Sequence, residues 1–199
     1  MYRSPIDIPS DLNFSGDFSV KCSGKNVDST YIEDSKTFIP KDPKIYFEWN
    51  GKKYYLLQYH FHSGSEHTRS GLKFPAEIHW VYSADPDPTS LVDVCCENHS
   101  NSRDILVVCR LIKDIKHATS TQDLTFLCNL NLAKPQIAYE YDGEKFGRAI
   151  RWLVGDKHIR LDLDVLSKYT REASPLQETN GRMVLKHNIK YRLTHVVPK

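Results

Sequence analysis

Gln58-Tyr59-His60-Phe61-His62-Ser63-Gly64-Ser65-Glu66-His67, followed by Pro75-Ala76-Glu77-Ile78-His79-Trp80-Val81, decides how this chain is read. His60 and His62 are two positions apart, so on a strand both imidazoles point to one face. Glu77 and His79 repeat that spacing on the second run, and Gly64, Ser65 and Gly71 between them mark a strand-to-strand connection. Three neutral imidazoles fill three corners of a tetrahedral zinc site and leave the fourth open to water, the mark of a catalytic rather than a closed structural centre. A lone His-x-His pair says little, because most such pairs are ordinary surface or core histidines. Here a third histidine follows at hairpin distance, with a carboxylate in phase beside it. Metal-bound histidine commonly donates its other ring N–H to a carboxylate or carbonyl, and Gln58 and Glu77 alternate in phase to accept it. The expectation is a Zn2+ site built on sheet, with His60, His62 and His79 as ligands.

At these residues the chain resembles the α-class carbonic anhydrases, whose pattern is Gln-x-His-x-His-x-x-Ser-Glu-His and then Ala-Glu-x-His-x-Val. Ser4-Pro5-Ile6-Asp7-Ile8 is similar to the family's Ser-Pro-Ile-Asn-Ile, and Ala149-Ile150-Arg151-Trp152-Leu153-Val154 to its Val-Thr-Trp-Ile-Val strand. Pro175-Leu176-Gln177 with Asn180-Gly181-Arg182 resembles its carboxyl-terminal Pro-Leu-Gln and Asn-Gly-Arg. The resemblance spans about residues 3 to 184.

The resemblance implies a mainly β, single-domain fold over residues 1–199, with one twisted, mostly antiparallel central sheet and short peripheral helices. It implies reversible hydration of carbon dioxide to bicarbonate and a proton, with zinc held by His60, His62 and His79. Gln58 and Glu77 would orient the ligands, His67 would brace the loop, and Glu66 would be the buried carboxylate of the hydrogen-bond relay. Val81, Cys109, Ile150 and Trp152 fall where the family lines its apolar carbon dioxide pocket, Cys109 and Ile150 standing for the usual valines. Zinc lowers the pKa of its water from about 15.7 to about 7, the value known for carbonic anhydrase itself, which makes hydroxide available at neutral pH.

Two departures bear on the rate. The family's hydroxide-orienting threonine lies in a Ser-Leu-Thr-Thr-Pro-Pro loop. The matching Tyr141-Asp142-Gly143-Glu144-Lys145-Phe146-Gly147-Arg148-Ala149 is shorter and holds no Thr, Ser or Pro. Glu66 thus loses its expected partner, with Lys145 and Arg148 as candidate replacements. Loss of one preorganised polar contact of this kind costs about 3 kcal/mol, a hundredfold or more in rate. Lys25 occupies the proton-shuttle position in place of a histidine, and an exposed lysine, with a pKa near about 10.4, passes protons poorly around neutrality. A slow enzyme is expected. The alternative is a carbonic-anhydrase-like binding protein that holds zinc without turnover. Purely structural zinc would need a fourth protein ligand, such as a cysteine. Ester hydrolysis is the natural side activity of such a centre.

Composition fits one domain of 199 residues with a substantial core. A net charge of +2, with lysines such as Lys41, Lys44, Lys52 and Lys53 dispersed, gives no case for nucleic-acid or membrane partners; a monomer is favoured. No run of eighteen apolar residues occurs, and Met1-Tyr2-Arg3-Ser4-Pro5 carries no apolar signal region, so a cytoplasmic location is expected. Family members carry a further amino-terminal segment and, when secreted, a cysteine pair; neither has a counterpart here. Cys22, Cys95, Cys96, Cys109 and Cys128 lack Cys-x-x-Cys spacing, and Cys109 in its apolar run reads as a small buried hydrophobe. His99, His117, His158, His187 and His195 read as surface or structural residues.

Alternation and turn residues predict strands over 44–49 and 52–62 joined by Asn50-Gly51, and further strands over 74–82, 104–112, 148–154 and 182–197. An exposed connection is expected over 85–103, a helix over 113–132 and a short helix within 162–170.

Overall fold

The computed structural model describes residues 3–23, 27–84, 104–114, 137–145 and 148–194. Alternating apolar and polar runs, closed off by turn residues, form the strands β1 (Asp7–Ile8), β2 (Phe14–Ser23), β3 (Ser29–Ile32), β4 (Thr37–Pro40) and β5 (Tyr46–Trp49). The histidine-rich region supplies β6 (Lys52–Ser63), β7 (Thr68–Arg69), β8 (Leu72–Lys73) and β9 (Ala76–Ser83). Then come β10 (Ile105–Asp114), β11 (Ile137–Lys145), β12 (Arg148–Gly155) and β13 (Ile159–Leu161). A short helix α1 (Leu163–Leu166) and a 3-10 turn (Ser167–Tyr169) lead to β14 (Thr170–Glu172) and β15 (Leu185–Thr194). The Asp162 carboxylate caps α1 by accepting from Asp164 N and Val165 N.

Asn50 and Gly51 both take positive φ, 50° and 75°, as a two-residue hairpin turn requires, and Trp49 pairs with Lys52 across it. Lys113 and Asp114 end β10; the rest of the helix expected over 113–132 lies outside the described residues, as do the connection over 85–103 and Lys25. No described helix is long and apolar enough to cross a membrane.

Hydrogen bonding runs β13–β10–β12–β11–β15–β2–β5–β6–β4–β3, and β9 joins β6 to β10. Most neighbours are antiparallel, but β10–β12, β10–β13, β2–β15 and β6–β14 are parallel, so the twisted sheet is mixed. A separate small sheet, β1–β7–β8, braces the turn after His67: Asp7 Oδ1 accepts from Thr68 Oγ1 at 2.6 Å and from Gly71 N at 2.9 Å.

Strand alternation divides the core in two. Ile78, Trp80 and Tyr82 of β9 pack with Leu106 and Val108 of β10 and Leu153 of β12 in the larger cluster. Val81, Val107, Cys109, Trp152 and Val154, one position out of phase, form the smaller cluster with Ile6, Ile8, Ile105, Tyr139 and Tyr141. The histidines share the face of the smaller cluster, because His60 pairs with His79 and His79 with Cys109.

Candidate metal centre

A bulge decides which way the histidines point. In β6, Leu56 pairs with Tyr82 and Gln58 with Val81, so Leu57 is an extra residue without its own partner. Before it, Tyr54 and Leu56 face the larger core; after it, Tyr59 and Phe61 do so. The even-numbered Gln58, His60 and His62 are thereby turned to the smaller core's side, opposite to Leu56.

One nitrogen from each of His60, His62 and His79 lies within 4.8 Å of the other two, and all three rings are buried. Their centroids stand 4.8 to 5.2 Å apart. His60 Nδ1–H donates to Gln58 Oε1 at 2.8 Å, and His62 Nδ1–H to the Glu172 carbonyl at 2.9 Å. His79 uses its other nitrogen, Nε2–H, on Glu77 Oε1 at 2.9 Å. Because all three acceptors are oxygens, the ring nitrogens that take no part in these three bonds are Nε2 of His60 and His62 and Nδ1 of His79. Such outer hydrogen bonds fix tautomer and ring orientation at metal sites. Three tautomer-locked imidazoles that converge on one point fit a divalent ion such as zinc with one position left over.

Glu77 is fully buried. Its Oε1 also accepts from His67 Nδ1 at 2.7 Å and its Oε2 from the His67 backbone N–H at 2.8 Å. Burial pushes this carboxyl up, but the flanking His67 and His79 outweigh burial and hold it well below the usual carboxylate range. With Nδ1 donating, His67 Nε2 accepts the Tyr141 hydroxyl at 2.5 Å. Burial raises the Tyr141 pKa, which keeps that donor protonated. Burial also raises the Cys109 thiol, which turns to the Leu153 carbonyl at 3.5 Å. Burial and the neighbouring His79 lower His62 to about 4.

Glu66 is 5% exposed, with Oε1 3.5 Å from His62 Nδ1 and Oε2 3.8 Å from His79 Nδ1. Its hydrogen-bond partner is the Ser174 N–H, which donates to Oε1 at 2.8 Å. Burial raises this carboxyl, and His79, His62 and Ser174 bring it below its ordinary value.

The described residues of the shortened 141–149 segment are strand, up to Lys145 in β11 and from Arg148 in β12. β11 and β12 continue as a hairpin in which Tyr141 pairs with Trp152, Gly143 with Ile150 and Lys145 with Arg148. The side chains of Lys145 and Arg148 lie outside the described residues. Val81, Cys109 and Trp152 share the smaller core cluster, with Ile150 packed against it. Trp152 meets the His79 and His67 rings edge-on at 5.3 and 5.1 Å. His187 is buried against Phe18 and Glu140, away from the histidine cluster, and His158 is half-buried.

Sequence reasoning missed Glu172, Ser174, Tyr141 and Val107. Glu172 acts through its backbone carbonyl, which no side-chain pattern announces. Ser174 follows β14, whose parallel pairing with β6 sets Arg171 beside His62 and Glu172 beside Ser63.

No family model matches the chain. A 58-residue stretch, 26% of this chain, is 45% identical to "Putative carbonic anhydrase 3" of Caenorhabditis elegans and spans about a quarter (24%) of that protein's length. The fold is similar to the α-carbonic anhydrase of Thermovibrio ammonificans solved with sulfanilamide, at TM-score 0.65 and 21% identity over 92% of this chain and 86% of that one. The Photobacterium profundum α-carbonic anhydrase gives TM-score 0.67 at 18% identity, over 92% and 88%. Dioscorin solved with ascorbate gives 0.67 at 19% identity, over 96% and 87%. The chain has the α-carbonic anhydrase fold.

Proposed function

We propose that this chain is a zinc-dependent hydratase interconverting carbon dioxide and bicarbonate, slower than the rate its metal centre alone would permit. The observation that carries the reading is the convergence of His60, His62 and His79, each with its other ring nitrogen held by an oxygen acceptor.

Zinc held by these three residues supplies a hydroxide nucleophile at neutral pH. The protein's own groups do the rest. Gln58, the Glu172 carbonyl and Glu77 hold the imidazoles in the neutral, ligand-ready tautomer. Val81, Val107 and Trp152, 4 to 7% exposed, offer an apolar wall to a substrate with no strong hydrogen-bonding group and keep competing water out. Glu66 stands as an acceptor beside His79 Nδ1. The β11–β12 hairpin brings no Ser or Thr hydroxyl to the site, which supports the expectation of slow turnover. Lys25 is the shuttle candidate from sequence, and the ordinary pKa of a lysine would make proton exit slow around neutrality.

The same hairpin favours a second reading, a zinc-holding protein without turnover. Dioscorin, solved with ascorbate, shows the fold in company with a different small molecule.

Stopped-flow carbon dioxide hydration on protein of determined zinc content, beside a His79→Ala variant checked for folding by circular dichroism, separates the two. Zinc near one per chain with hydration lost in the variant is the expected outcome. Zinc without hydration above the variant selects the binding reading, and absence of zinc uptake overturns both.

A further inference from the structure

β12 pairs with β10 as far as Cys109, β13 takes over at Ile112, and the turn 155–158 crosses between them. Cations gather at this crossing. Arg110 is buried there and donates from Nε to the Lys157 carbonyl at 2.8 Å. Arg69 of β7 reaches the same turn: its Nη1 donates to the Asp156 carbonyl, and its Nη2 lies 2.8 Å from Asp156 Oδ1. One step along β10, Lys113 and Arg160 are direct partners on adjacent parallel strands, so two like charges share one face. Phe74 and His158 stand beside them, their rings 6.1 Å apart, with Lys113 Nζ 5.9 Å from the centre of the Phe74 ring. Partial burial, and then the charges of Lys113, Arg160, Arg110 and Arg69, lower the His158 pKa.

Like charges directly opposite each other on neighbouring strands are destabilising, and the nearby acids do not relieve these two. Asp156 is taken up by Arg69, and Asp162 caps α1. Asp114 alternates to the other side of β10, with Oδ1 3.5 Å from Leu163 N. Lys113 and Arg160 are exposed, and neither has an ion pair among the described residues. We propose that Lys113, Arg160, Arg110 and His158 form a binding site for a small multivalent oxyanion of the phosphate class, using none of the three clustered histidines. The proposal stands apart from the hydratase reading. A multivalent anion gains from every cation at once, whereas chloride or bicarbonate, with one charge, gains far less. Arginine adds the planar fork of N–H donors that phosphate oxygens accept in pairs. The exposed cations Lys113, Lys157 and Arg160 occupy one strand end and one turn. They do not draw out into the stripe that a nucleic-acid backbone would follow.

The test is calorimetric titration with pyrophosphate at constant ionic strength of the unmodified protein, Arg160→Gln, Lys113→Gln, His79→Ala and, for a surface lysine elsewhere, Lys41→Gln. Arg160→Gln and Lys113→Gln should each weaken binding about tenfold or more, while His79→Ala and Lys41→Gln keep it within about twofold. Pyrophosphate should also raise the His158 pKa, followed by histidine NMR, and raise it less in Arg160→Gln. Without ligand, Arg160→Gln and Lys113→Gln should unfold at a Tm no lower than the unmodified protein, because removing one of two like charges relieves repulsion. Equal binding by every variant would reduce the effect to general charge and overturn the site. Binding lost in His79→Ala would move the anion to the histidine centre, and binding lost only where Tm also falls would assign Lys113 and Arg160 to the fold; either result sinks the proposal. Capture of a phosphorylated peptide with no response to pyrophosphate would overturn the small-ligand assignment.

Discussion

The Glu77 carboxylate has no exposure to solvent and stays ionised because His67 and His79 surround it with donors. Its energetic weight follows from that burial: a charge out of water is tolerated only when its lone pairs are met. Glu77→Gln keeps the shape but not the charge, and its N–H2 group must face either the His67 backbone N–H or, turned over, the ring N–H groups of His67 and His79. The neutral amide holds the His79 Nε2–H less firmly than the carboxylate does, so the tautomer that leaves Nδ1 for the metal is favoured less. The expected outcome is a loss of zinc affinity of about 10- to 100-fold, read by competition with a chromophoric chelator. An affinity within twofold of the unmodified protein would show that tautomer control by Glu77 is unimportant.

Among the elements, the β11–β12 hairpin is tightly packed at Gly143. A Cβ placed on Gly143 would stand 2.2 Å from Ser4 Oγ and 2.9 Å from Trp152 Nε1, so a glycine here lets β1's approach and the Trp152 wall come together. Gly143→Ala should destabilise the protein by about 1–3 kcal/mol through overpacking, measured by urea unfolding. Adding Ser4→Gly should recover part of the loss; no recovery would place the strain on Trp152 alone. The bulge at Leu57 works at the same scale. A one-residue shift of register turns every later side chain to the opposite face, so this single insertion places Gln58, His60 and His62 over the smaller core.

For the molecule as a whole, buried tyrosines set an alkaline limit. Burial, and then the hydrogen bond to Asp156, push the Tyr139 hydroxyl up to about 12. The folded protein therefore keeps a proton that the unfolded chain gives up near its ordinary value of about 10. Between those values the unfolded state binds fewer protons, so stability falls as pH rises. Tyr141, raised well above its ordinary value by burial, adds to the same slope. Unfolding by urea at pH 9 and pH 11.5 should show the loss, and Tyr139→Phe should make it shallower, although it also removes a contact to Arg69. An unchanged slope in Tyr139→Phe would assign the alkaline loss to other groups.

The grouping of His60, His62 and His79, the Asn50-Gly51 hairpin and the apolar alternation of β9 and β10 were legible in the sequence, because each depends on spacing within a few residues. The loop that carries Ser174 was not, since nothing local to it announces that it lies beside Glu66, 108 positions earlier. Strict alternation from Tyr54 onward would have put Leu56 on the same face as His60, yet Leu56 belongs to the opposite core. Strand periodicity is local and belongs to the sequence. The bulge, the parallel pairing of β14 with β6, and the replacement of a hydroxyl-bearing loop by a hairpin arise only when distant strands compete for the same hydrogen bonds.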